Sequence, residues 1–242
     1  MAVVFVSYVV SVLGSYAGLY HAQFMYGRGG KLNWSMAVGA AVALGGIGIW
    51  TMHFLGVMGY RLPVPVVYDG VLTVASLLAA IVIAGIALLL ANRGGRFNLQ
   101  GWIVGSVLAG LGVCVMHYMG MFAMTLRATM SLDWGVVAGS VAIAIIAAAS
   151  ALWLAFNLTE LTHQVVAAAV MGVAVCSMHY VGMTAATMVC TAPIAPDSLS
   201  FGGSNLGLGV FGTAGAVLIF ILWVVTGRAL DEPKAAGTPR HA

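Results

Sequence analysis

Three histidines, His53, His117 and His179, sit in three copies of one short motif. The copies read Trp50-Thr-Met52-His53-Phe54-Leu-Gly56-Val57-Met58, Cys114-Val-Met116-His117-Tyr118-Met119-Gly120-Met121 and Cys176-Ser-Met178-His179-Tyr180-Val-Gly182-Met183. On a helix, the residue three before each histidine and those three and four after it share the histidine's face. That face carries Cys114, Gly120 and Met121 around His117, and Cys176, Gly182 and Met183 around His179. The first copy departs, with Trp50 in the cysteine position and Val57 in the methionine position, leaving Met58 as a displaced substitute.

Imidazole, thioether and thiol together suit a soft metal, and copper, above all Cu(I), fits that set better than Mg, Ca or Mn. Zinc would favour more cysteine, histidine or carboxylate and makes little use of methionine. Met52, Met116, Met121, Met178 and Met183 recur at fixed offsets from a histidine, whereas Met25, Met36, Met130 and Met171 read as packing residues. Met119, Met124 and Met188 add sulfur on the outer ends of the same helices. Two histidines from facing helices would alternatively serve as axial ligands of haem b. A third reading is structural: each imidazole satisfied by a carbonyl or by a tyrosine such as Tyr118 or Tyr180, and copied by duplication. Three cysteines predict no disulfide framework, and the absence of a nucleophile motif argues against an autonomous hydrolase.

The elements that position these residues follow from hydropathy. Of the 242 residues, 62% are hydrophobic and 6% charged, against about 25% charged in a soluble domain. Apolar runs near 2–24, 33–59, 68–91, 100–126, 134–156, 164–190 and 206–228 are each close to or above the ~20 residues that span a bilayer. The expected fold is an all-α polytopic membrane protein of seven transmembrane helices. The first run lacks a basic n-region, so it reads as a retained helix rather than a signal peptide. A net charge of +3 without a basic stripe argues against nucleic acid.

Basic residues flanking helices stay on the cytoplasmic side. With the N-terminus outside, Arg28, Lys31, Arg93, Arg96, Arg228, Lys234 and Arg240 fall inside, and only Arg61 and Arg127 fall outside. The expectation is therefore N-out and C-in. The histidines are 64 and 62 residues apart, a period suited to helix hairpins. Each lies near the outer end of an even-numbered helix. Three equivalent hairpins about a pseudo-threefold axis would bring them to one depth.

Asp69, Asp133 and Asp197 follow the motifs at similar distances and read as helix caps or, alternatively, as an acidic outer vestibule. His21 reads as an interfacial residue solvated beside Tyr20, and His163 likewise as interfacial. The small-residue runs Gly45-Gly46-Ile-Gly48, Ala109-Gly110-Leu-Gly112 and Met171-Gly172-Val-Ala174 allow close helix contacts.

Met-His-[Phe/Tyr]-x-Gly-Met in alternate helices of a seven-helix chain, with Val57 in the last position of the first copy, resembles the MHYT domain of bacterial integral-membrane sensors, over roughly residues 4–228. The resemblance implies an extracytoplasmic metal site, proposed to be copper, that senses oxygen, carbon monoxide, nitric oxide or redox state. The ligand candidates it implies are His53, His117 and His179 with Met52, Met116, Met121, Met178 and Met183. It also implies a bacterial inner membrane with the motif face toward the periplasm. Residues 1–228 are expected to form the membrane domain and residues 229–242 a short cytoplasmic polar tail. Family members are often fused to cytoplasmic diguanylate cyclase or phosphodiesterase domains. No such domain follows here, so the expected output is through a separate signalling partner. A copper transporter or insertion factor is the competing function.

Overall fold

The computed structural model describes residues 2–215 apart from positions 28, 60–65, 95, 126, 158–159, 193–199, 203–208, 211 and 213–214. Within them lie six helices long and apolar enough to cross a membrane: α1 (Ala2–Gln23), α2 (Trp34–Met58), α3 (Gly70–Ala91), α4 (Leu99–Phe122), α5 (Trp134–Asn157) and α6 (Leu161–Thr184). The protein is a multi-pass membrane protein. Most of the seventh span expected at 206–228, and the whole 229–242 tail, lie outside the described residues. Val210, which is described, packs into the apolar cluster at the motif end of the bundle.

Several helix starts are written into the sequence as polar caps, which satisfy free backbone N–H groups at a helix N-terminus. Asn33 accepts from Met36 N, Asp69 from Leu72 N at 2.8 Å, and Asn98 from Gly101 N at 2.7 Å. Asp133 Oδ1 accepts from Gly135 N at 2.8 Å and Val136 N at 3.2 Å. Asp69 and Asp133 are thus caps, and Asp197 lies outside the described residues. Within α2 the stretch Val42–Thr51 is π-helical. Here α2 presses against both neighbours: a Cβ on Gly45 would strike the backbone of Ala80 and Ile81, and one on Gly14 would strike Gly48.

The helices form a ring of pairs around the three motif helices α2, α4 and α6. Helix α3 packs against α2 and α4, α5 against α4 and α6, and α1 against α6 and α2. The third slot, between α6 and α2, is therefore taken by α1 among the described residues. Small residues make each junction. Gly45 faces α3, Gly110 meets the backbone of Ile145 on α5, and Gly172 meets Val12 on α1. The outer helices bury small and polar residues, such as Ser7, Ser11 and Ser15 on α1, and expose Val and Leu. That pattern is what a bilayer demands, because helices associate through close packing and hydrogen bonds rather than through hydrophobic exclusion.

One polar bond repeats around the ring. The hydroxyl of Tyr118 on α4 meets Ser140 Oγ on α5 at 3.0 Å, and that of Tyr180 on α6 meets Ser7 Oγ on α1 at 2.9 Å. Each serine also donates to the carbonyl three residues back, as does Ser76 on α3. The first repeat has Phe54 where the others have tyrosine. There the indole N–H of Trp50 donates to Ser76 Oγ at 3.0 Å. Two departures from the motif are one compensation: the tryptophan that replaces cysteine supplies the donor that the phenylalanine lacks.

Short strands supplement the helices where the chain turns back at the motif end. Strands β1 (Val67–Asp69), β4 (Met124–Thr125) and β7 (Ser200–Gly202) form an antiparallel sheet in the order β4-β1-β7, and β5 (Arg127–Leu132) pairs with β6 (Ala186–Ala192). Asp69 N donates to Ala123 O and Asp133 N to Ala185 O, both at 2.8 Å, so each turn is tied to the end of the next motif helix. At the opposite end β2 (Asn92–Arg93) and β3 (Arg96–Phe97) make a hairpin. His21 is also at that end and is fully buried rather than solvated. Its Nδ1 lies 2.8 Å from Ala17 O, its ring lies against Gly39, and its edge meets Tyr20.

Trp50→Phe, which removes the indole N–H shared by Ser76 Oγ and Thr73 O, is expected to destabilise the detergent-solubilised protein by about 0.5–1.5 kcal/mol, read as a lower melting temperature. Ser76→Ala should then add little in the double variant, and additive losses in that cycle would refute the pairing.

Candidate metal centre

Each motif helix carries its histidine near one end, and the ring of pairs turns all three inward. His53, His117 and His179 are completely buried. Their Nδ1 atoms converge: His53 to His117 at 3.0 Å, His53 to His179 at 3.1 Å, and His117 to His179 at 3.3 Å. The rings stand edge to face, with interplanar angles of 82°, 88° and 85°. Three-bladed packing of this kind leaves the three nitrogens on the bundle axis.

Glycine makes the approach feasible. Nε2 of His53 lies against Gly120, that of His117 against Gly182, and that of His179 against Gly56, so a Cβ at any of these positions would collide with the ring. Each histidine therefore sits on the glycine of the next repeat, in a closed cycle. The glycine recurs three residues after every histidine. Its presence on the histidine face was visible in the sequence, but its role as the seat of another repeat's ring was not.

Hydrogen bonding alone cannot satisfy this triangle. A neutral imidazole carries one N–H, so each Nδ1 is either a donor or an acceptor. Any assignment of three nitrogens leaves at least one pair with two lone pairs or two hydrogens facing each other. A cation at the centre removes the conflict by taking all three lone pairs, with the protons on Nε2. The centre of a triangle of this size lies about 1.8 Å from each corner (side divided by √3), near the ~2.0–2.1 Å of a zinc–imidazole bond. The donor set fits a metal ion with small adjustments.

Neither Cys114 nor Cys176 belongs to this cluster, which is the single group of its kind among the described residues. Cys114 instead packs with Ala144 and Met178. Met116, Met121 and Met183 join Trp50, Phe54, Leu55, Val57 and Tyr68 in one buried cluster, and Met52 is fully buried. Val57, Met121 and Met183, the residues four after each histidine, thus occupy the same apolar layer. Tyr68 on β1 lies over Phe54 with ring centroids 5.8 Å apart and closes this layer from the strand side. Burial pushes its phenol pKa up to about 12.

The chain matches the MHYT family, described as "Bacterial signalling protein N terminal repeat", three times, over residues 46–102, 110–168 and 172–237. It belongs to the MHYT family. Each match contains one of the three histidine motifs. MHYT chains similar to it include the bifunctional diguanylate cyclase/cyclic di-GMP phosphodiesterase MucR of Pseudomonas aeruginosa, 38% identical over 74% of this chain and 27% of the relative. The cyclic di-GMP phosphodiesterase NbdA of the same organism is 32% identical over 68% of this chain and 22% of the relative. The signaling protein YkoW of Bacillus subtilis is 32% identical over 59% and 18%. The chain thus spans about a fifth to a quarter of the length of these relatives. No solved structure matches it. As an MHYT sensory domain of signalling proteins, it carries a histidine triad able to hold a metal ion.

Gly120→Ala is expected to displace the His53 ring and abolish metal binding while helical circular dichroism is retained. Gly56→Ala and Gly182→Ala should do the same through His179 and His117. Full metal occupancy in all three variants would refute the seating role.

Proposed function

We propose that this chain is a Cu(I)-binding sensory domain of an inner membrane, with His53, His117 and His179 as ligands near the periplasmic face. The observation that carries this reading is the convergence of three Nδ1 atoms within 3.3 Å in a fully buried site. The preference for copper in its lower oxidation state follows from electrostatics. The cost of burying an ion in a low-dielectric interior grows with the square of its charge, so a divalent ion without a carboxylate is far more costly than a monovalent one. This site offers three neutral imidazoles, and the described aspartates Asp69 and Asp133 are engaged in capping.

Copper held there would supply a redox-active centre with affinity for small diatomic ligands. The chain's own residues bind and orient it: three imidazoles fix its position, three glycines hold those imidazoles, and Tyr68 and Phe54 exclude water. Met52, Met116, Met121, Met178 and Met183 form the polarisable surround, with the sulfurs of Met121 and Met183 as auxiliary ligands for a reduced ion. A change of oxidation state or the binding of oxygen, carbon monoxide or nitric oxide would alter the distances between the three motif helices. Small-residue contacts at Gly45, Gly110 and Gly172 would pass that change to the outer helices. The output then goes to a cytoplasmic signalling partner, in keeping with the cyclic di-GMP enzymes among the relatives. Haem b fits less well, because imidazoles closed on one another leave no room for a macrocycle between any two of them.

Purified protein reconstituted with Cu(I) is expected to bind about one copper per chain, and the triple variant His53→Ala, His117→Ala, His179→Ala to bind none. Copper retained by the triple variant, or a Soret band in the wild type, would overturn the assignment. For orientation, a C-terminal alkaline phosphatase fusion should be inactive and a C-terminal fluorescent protein bright; the opposite pattern would place the motif face in the cytoplasm.

A further inference from the structure

The bundle axis holds a second feature beside the triad. A cavity of about 80 Å³ is lined by residues from all six described helices. Its wall includes Ile49, Val113 and Val175, each four residues before one of the three histidines. In the α-helical α4 and α6, residues four apart lie on one helix face, about 6 Å apart along the axis at ~1.5 Å per residue, and Ile49 reaches the same wall from the π-helical stretch of α2. The cavity is therefore coaxial with the histidine triangle, one helical turn further from the motif end.

Its chemistry is apolar. Alanines of α3, α4 and α5 create the hollow, and Ser15 is the one polar residue that lines it among the described residues. A cavity without polar partners stays dry, and such cavities take up xenon or small hydrocarbons. A groove between α5 and α6 shares Ala147 and Met171 with the cavity wall. Its other residues include Ile146, Val170 and Ser177, which are exposed on the lipid-facing side. Ala147 and Met171 thus belong both to the cavity wall and to a groove whose far residues are exposed, where the hydrocarbon of a bilayer would bring apolar gases.

We infer that this cavity is a binding site for one small apolar molecule of the size class of a diatomic gas or xenon, reached from the lipid between α5 and α6. A guest there sits a turn below His53, His117 and His179 and touches the residue adjoining His179, Met178. Occupancy itself does not depend on a metal. Only its delivery of a guest to the triad rests on the function proposed above.

Xenon NMR on the protein in detergent micelles tests the site against protein-free micelles. The wild type is expected to show a saturable component, one site per chain, above the linear partition into detergent. Ala148→Leu, which fills the hollow from α5, should abolish that component and leave the copper stoichiometry unchanged. Ser150→Leu, on the groove side of α5, should leave it intact. Linear partition alone in the wild type would overturn the inference whether or not the filled variant folds, as would lipid or detergent methyl contacts to Val113 and Val175 that xenon fails to displace. Loss of copper binding in the histidine variants with xenon uptake retained, or the reverse, separates the two sites.

Discussion

Everything in this bundle depends on holding three imidazole nitrogens within 3.3 Å of one another where no water reaches. A buried polar group without a partner costs several kcal/mol in a bilayer, and three in one place would be a severe defect unless they act as a unit. The geometry makes them one. Each ring is held edge-on by its neighbours and backed by a glycine, so none can turn away without striking a backbone.

The repeat answers that constraint. A single helix cannot bring three histidines to a point, but three copies of one helix around an axis do so with one local solution. The same solution then recurs in the surroundings: a glycine junction to the outer helix, a serine on that helix bonded to the motif, and a polar cap or backbone tie at the turn. Where the first copy lacks the tyrosine hydroxyl, Trp50 restores the bond to Ser76. Its Trp50–Phe54 pair also fills volume, with ring centroids 4.8 Å apart, where the other copies have cysteine and tyrosine. The outer helix of the third pair is α1, the first in the chain. This places α1 in direct contact with the last motif helix, through Gly172 and through the Tyr180–Ser7 hydrogen bond.

Membrane burial also explains how a triad and a cavity coexist on one axis. Large side chains crowd the motif end, where Phe54, Met116, Met121 and Tyr68 pack. Further along, alanine replaces them, and six helices that meet through small residues cannot close the centre completely. The hollow lies where the packing changes from bulky to small.

Much of this was legible in the chain itself. The spans follow from hydropathy, the caps at Asp69 and Asp133 from acids that recur after each motif, and the histidine triad from a motif repeated at a near-constant period. Those are local signals, set by solvent transfer and by backbone valence within a few residues; the caps at Asn33 and Asn98 emerged only with the structure. Other features needed the tertiary structure. The seating of each histidine on another repeat's glycine, the Trp50–Ser76 substitute bond, the burial of His21 and the choice of α1 as third partner all join residues far apart in sequence. The sequence by itself determined that three imidazoles lie at one depth in a membrane, because hydropathy and period are properties of the chain. Only the tertiary structure decided that their Nδ1 atoms meet, because that depends on how six helices rotate and close around an axis that no single segment contains.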